Sequence, residues 1–76
     1  MSQETQPNIF LLDRFPIELC QLLKLGGMAE SGGEAKHLIQ AGLVQLNGEV
    51  ETRRGKKLMP GDQVTFRGQT LVVKER

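Results

Sequence analysis

Cysteine, histidine and the large aromatics are nearly missing from this chain. Its 76 residues hold one Cys, one His, three Phe, and no Trp or Tyr. A single Cys20 excludes an internal disulfide and fits a reducing compartment. One His and one Cys cannot supply a metal site, whose ligands come in sets at fixed spacing. The same scarcity tells against an enzyme. His37 and Cys20 are the only base and nucleophile of their kinds, and Cys20 lies beside an apolar helical stripe, where a thiol is usually inert. No G-x-x-x-x-G-K-S/T phosphate loop occurs. No apolar run reaches the length of a membrane span, and Met1–Asn8 is polar, without the basic-then-apolar order of a secretory signal. A domain this small buries only about 60% of its unfolded surface, which leaves little room for a large catalytic cleft. The composition therefore points to a soluble, cytoplasmic, non-catalytic protein with no cofactor, no metal and no small-molecule substrate.

Net charge is also small, at +1, but it is sorted along the chain. Residues 1–34 carry a net −3 and residues 35–76 a net +4. Arg53, Arg54, Lys56 and Lys57 follow one another with no acid between Thr52 and Leu58. Such a cluster attracts polyanions through counterion release, and its arginines can take phosphate oxygens in pairs.

The best-defined stretch is SGGEAKHLIQAGLVQLNG, from Ser31 to Gly48. Ser31 and Glu34 form a capping box, in which the Ser hydroxyl accepts the third helical N–H and the Glu carboxylate reaches back to the Ser N–H. Ala35, Leu38 and Ile39 share one helical stripe, while Lys36, His37 and Gln40 lie opposite. Gly42 closes the helix in a left-handed conformation. Leu43–Leu46 is a short strand, and Asn47-Gly48 marks a type I′ hairpin turn leading into a second strand over Glu49–Thr52.

Before this stretch, Met1–Pro7 has the composition of a flexible tail, and residues 8–76 form one domain. Ile9–Leu12 reads as a strand added to a sheet edge. Pro16 suits a helix start, so the first helix is expected over about Ile17–Leu25, burying Leu19, Leu22 and Leu23, with Gln21 and Lys24 outward. Gly26-Gly27 ends it, and Met28 packs beneath. After the basic loop, Pro60-Gly61-Asp62 is a turn. Gln63–Phe66 and Thr70–Val73 are strands joined through Arg67-Gly68-Gln69. The fold class is α+β: two packed helices against a small, hairpin-rich antiparallel sheet. All three Phe sit in apolar, core-like contexts.

Leu22, Leu23, Lys24, Gly26, Ser31, Ala35, Lys36, Ile39, Gly42, Val44, Asn47 and Gly48, continued by Arg53, Arg54, Gly55, Leu58, Gly61 and Asp62, form an ordered pattern. It resembles the ribosomal protein S-four-type RNA-binding domain, or alpha-L motif, over roughly Ile17–Phe66, in the manner of its short stand-alone bacterial YbcJ-like members. The resemblance implies RNA binding, to ribosomal or other structured RNA, by a ribosome-associated protein. One position departs from it: many members carry Arg directly after the cap Ser, where this chain has Gly32-Gly33.

The candidate RNA-binding residues are Lys24, Ser31, Gly32, Gly33, Lys36, His37, Gln40, Arg53, Arg54, Lys56 and Lys57. Gly32-Gly33 reads in two ways. They are small residues at a capped helix start, or they leave the first N–H groups open to a phosphate in place of the missing Arg. The chain has no long recognition helix for a DNA major groove and no aromatic platform for single strands, so recognition should follow the shape of the RNA backbone. The chain is read as a monomer whose partner is RNA. The alternative is a protein-interaction adaptor whose basic loop docks an acidic partner.

Overall fold

The computed structural model describes residues 8–76, so the tail expected over Met1–Pro7 lies outside the described residues. In chain order the elements are β1 (Asn8–Leu12), β2 (Ile17–Glu18), α1 (Leu19–Leu25), α2 (Gly32–Gln40), β3 (Val44–Leu46), β4 (Glu49–Val50), β5 (Lys57–Leu58), β6 (Gln63–Phe66) and β7 (Gln69–Glu75). The class is α+β, as the pattern implied. β1-β7-β6-β3-β4 is the strand order of the main sheet, and β2-β5 form a separate two-stranded ribbon. The helical stripes meet the inward-facing strand residues in one core. Leu19, Leu22, Leu23, Ile39, Val44, Leu58, Val64 and Val73 are fully buried. Of the three Phe, Phe66 belongs to that core, and Phe10 and Phe15 pack against it half-buried, as do Cys20 and Met28.

Three local expectations are corrected. First, Ile17 and Glu18 do not begin the first helix; they pair antiparallel with Leu58 and Lys57. β-branched Ile17 is buried in the ribbon, and the helix starts only after Glu18, whose N–H donates to the Gln21 side-chain oxygen (3.3 Å). Second, the sheet is mixed rather than wholly antiparallel. β1 lies at the edge as expected but runs parallel to β7, with Asn8 opposite Leu71 and Leu12 opposite Glu75. No hairpin joins these two strands, so turn geometry does not force them antiparallel. Third, the Ser31 hydroxyl accepts the Glu34 N–H (3.1 Å), but the Glu34 carboxylate accepts from Glu30 N–H (2.7 Å) instead of Ser31. The Glu34 carboxylate is engaged one residue before the cap, so the cap on this helix is the Ser31 hydroxyl alone.

The turns follow local chemistry. Asn47 and Gly48 both have positive φ (53° and 88°), as a type I′ turn demands. Asn47 does more than turn the chain. Its side-chain oxygen accepts the Gln63 N–H (2.9 Å), and its amide donates to Asp62 (3.1 Å), whose other oxygen accepts the Met59 N–H (2.9 Å). One asparagine thereby ties the β3–β4 hairpin to the turn before β6. Gly48→Val is expected to cost about 1–2 kcal/mol, because a β-branched residue resists the left-handed region. That corresponds to a fall in Tm on the order of 10 °C; an unchanged melting curve would refute the turn assignment.

Candidate nucleic-acid interface

The basic loop between β4 and β5 is held by its backbone. α1 begins with N–H groups that have no partner within the helix, and the loop supplies acceptors. Leu19 N–H donates to the Lys56 carbonyl (2.9 Å) and Cys20 N–H to the Arg54 carbonyl (3.1 Å). Lys56 N–H donates to the Arg53 carbonyl (3.2 Å) and closes the loop's own turn. The loop is therefore a fixed cap on the first helix.

Its four cations are not equivalent. Arg53 is bound by Glu51 at both ends of the carboxylate: Nε donates to Oε2 (2.9 Å), Nη2 donates to Oε1 (3.2 Å), and the Arg53 backbone N–H also donates to Oε2 (3.0 Å). The Arg53 side-chain hydrogen bonds, with the backbone bond second, hold the Glu51 carboxyl down to about 2, and the side-chain bonds together with the Glu51 charge raise Arg53. Lys57 Nζ reaches Glu18 on β2 at 3.4 Å. Among the described residues, Arg54 and Lys56 take part in no ion pair; Arg54 is exposed and Lys56 half-buried. The run of like charge thus meets two acids that flank it in space. Glu51 is the residue that sequence reasoning passed over. Glu51 lies two residues before Arg53, and its carboxylate takes both the Arg53 backbone N–H and the guanidinium, a local contact that a count of charges does not reveal.

Glu51 also carries a pH prediction. A carboxyl near 4.5 in the unfolded chain and near 2 when folded adds stability that is complete above the unfolded value and is lost as pH falls through the folded one. Glu51→Gln should therefore be less stable than the parent at pH 7, by an amount that is steady down to about pH 5 and closes towards pH 2. Urea titrations across that range measure it. A pH-independent gap would mean that the charge of Glu51 is not what stabilises the loop.

The second group lies at the other end of α1. A methyl group on Gly32 would come within 3.9 Å of Lys24 Cδ, so the Lys24 stem passes over the start of α2. Ser31 accepts the Glu34 N–H, and the Gly32 and Gly33 N–H groups have no partner among the described residues. Glu30 and Glu34 stand beside them and offset part of the positive helix end. Lys36, His37 and Gln40 are exposed along α2. At 1.5 Å per residue, the seven residues of α1 set the loop and the Lys24–Gly32 pair about 10 Å apart. The geometry thus gives two clusters, Arg53–Lys57 at the start of α1 and Lys24, Ser31, Gly32 and Gly33 at its end. No hydrogen bond or ion pair joins Lys36, His37 or Gln40 to the loop among the described residues.

Among the described residues no three His, Cys, Asp or Glu gather as a metal site, and no helix is long and apolar enough to cross a membrane.

A family model described as S4 domain matches residues 10–74. YbcJ of Escherichia coli (strain K12) is 46% identical over 65 residues, which are 84% of this chain and 93% of that protein. Its solution structure, described as revealing an alpha-L motif involved in RNA binding, superposes with a TM-score of 0.70, at 40% identity, covering 97% of this chain and 95% of YbcJ. A Bacillus subtilis (strain 168) protein named "Probable ribosome maturation protein RlbA" is 41% identical over 61 residues, 80% of this chain and 86% of its own length. Heat shock protein 15 of Vibrio cholerae, solved as a trimer, shares the fold with a TM-score of 0.69 at 20% identity, covering 80% of this chain and 65% of that one.

Proposed function

Because the chain belongs to the S4 domain family, we propose that it is a non-catalytic RNA-binding protein that recognises structured RNA, ribosomal RNA foremost, through the loop Arg53–Lys57 and helix α2. The observation that carries the reading is the loop's construction. Main-chain carbonyls fasten it to α1, while the side chains of Arg54 and Lys56 remain outside any ion pair among the described residues. A positively charged loop of fixed shape suits a phosphate backbone, because little ordering entropy is lost on binding. The description of YbcJ as carrying an RNA-binding motif supports RNA as the partner, and the name of RlbA supports a ribosomal one.

In this reading Arg54 and Lys56 are the principal phosphate ligands. Arg53, braced by Glu51, offers the free edge of its guanidinium, and Lys57 shares its charge with Glu18. Lys24, Ser31, Gly32 and Gly33 form a second contact one helix length away, continued by Lys36, His37 and Gln40. Residues 8–76 act as one domain, a monomer in the cytoplasm.

Fluorescence anisotropy with a labelled ribosomal RNA hairpin and a duplex DNA control tests this. Engagement of about three to five phosphates gives a slope of log affinity against log salt of roughly −2 to −4.5, with DNA bound more weakly. Failure to bind several structured RNAs at low salt would sink the reading.

A further inference from the structure

A cleft of about 400 Å³ opens between the end of β1 and the outer side of α1, within the range of about 300–1,000 Å³ typical of small-ligand sites. Leu12, Pro16, Ile17 and Leu25 supply its apolar walls. Ile17 is buried, whereas Leu25 is 57% exposed, a large aliphatic surface that the fold itself leaves uncovered. Three polar side chains share the lining: Asp13, Arg14 and Gln21. The Asp13 carboxylate is held by Arg76 Nε at 2.7 Å, so its charge is already offset. Arg14 joins no ion pair among the described residues, which leaves the rim with a net positive charge. Gln21 uses its oxygen to accept the Glu18 N–H; its orientation is thereby set and its NH₂ group is left to donate.

The cleft borders the strip assigned above to RNA. Gln21 and Lys24 are neighbours at i and i+3 on α1, and Lys24 lies over Gly32. At the other end Ile17 adjoins Glu18, the partner of Lys57. A ligand lying along α1 from the loop to Gly32 passes its mouth.

We propose that this cleft receives one unstacked nucleotide of the bound RNA, its base between Leu25 and Pro16, its edge accepting from the Gln21 amide and its phosphate on Arg14. An aliphatic slot, one oriented amide donor and one cation with no ion pair among the described residues match the three parts of a nucleotide that recognition of unpaired RNA uses. The site also gives a chain without exposed Tyr or Trp a means of telling an interrupted stem from a continuous one. This inference rests on the RNA-binding reading and extends it.

The test compares a fully paired RNA hairpin with the same stem carrying a single bulged 2-aminopurine. The protein is used whole, as the parent chain, Arg14→Ala and Leu25→Ser. Gln21 is kept because its amide also caps α1. The expected result is about tenfold tighter binding of the bulged stem by the parent chain, with a change in 2-aminopurine emission. Both variants should lose that preference and the emission change, while keeping paired-stem affinity within about threefold. Equal affinity for both stems, with paired-stem binding intact, overturns the nucleotide site and leaves the RNA-binding reading standing. Absence of binding to either stem overturns both. A doubled mass in light scattering that Leu25→Ser abolishes would assign the cleft to a second copy of the chain and likewise overturn the proposal.

Discussion

Arg54→Glu/Lys56→Glu is expected to weaken binding to a structured RNA roughly a hundredfold near physiological salt, with Tm almost unchanged. Each phosphate that is no longer engaged takes about 0.7–0.9 off the salt slope, and reversing a charge adds repulsion. Two such positions on one loop account for an effect of that size. The fold should tolerate the change, at the small cost of turning the attraction of Lys56 for Glu51 into repulsion, because the loop is fastened by the carbonyls of Arg54 and Lys56, which the substituted residues still carry. The choice of this pair matters. Arg53→Glu would set a carboxylate against Glu51, whose oxygens now take three hydrogen bonds from Arg53. Lys57→Glu would face Glu18. Either would mix damage to the loop with damage to binding. Anisotropy for affinity and circular dichroism for Tm separate the two. A folded double variant that binds RNA as tightly as the parent would remove the loop from the interface.

The largest effect on stability is expected from Leu22→Ala. Leu22 is fully buried in the core shared by both helices and the sheet. A Leu→Ala change at such a site costs about 2–5 kcal/mol, through forfeited transfer energy and the cavity left behind. Domain stability is about 0.05–0.15 kcal/mol per residue, so a chain of 76 residues would lose a large share. Each kcal/mol moves the Tm of a domain this size by about 4–8 °C, and a fall on the order of 15–25 °C follows. A seven-residue helix cannot compensate by its own propensity, since isolated helices shorter than about 12 residues are marginal in water. Thermal unfolding followed at 222 nm gives the answer; a fall of less than about 5 °C would mean that α1 is not packed as described.

What was legible in the sequence was chemistry that acts over a few residues. Ser31 capping Glu34, the left-handed Gly42, the Asn47-Gly48 turn and the Leu19–Leu22–Leu23 and Ala35–Leu38–Ile39 stripes each need only their near neighbours. The edge position of β1 was legible from its apolar brevity. What was not legible joins residues far apart. Ile17 and Glu18 become a strand only because Leu58 and Lys57 lie opposite them, and β1 runs parallel to a strand more than sixty residues later. The same holds within the candidate interface. The basic run was visible as composition, but its division into Arg53 and Lys57, which are braced, and Arg54 and Lys56, which have no ion pair among the described residues, depends on backbone that brings Glu51 and Glu18 alongside.

Every residue type carries the same main-chain carbonyl, and it is carbonyls at positions 54 and 56 that close the first turn of α1. If these side chains contact RNA as proposed, holding and reading fall to different atoms of the same residues. Side chains at these two positions can be exchanged for shorter, longer, neutral or aromatic ones with the helix start still capped. The segment is a cartridge in a fixed socket, and under the proposed function the ligand preference of the domain could be rewritten without redesigning its fold.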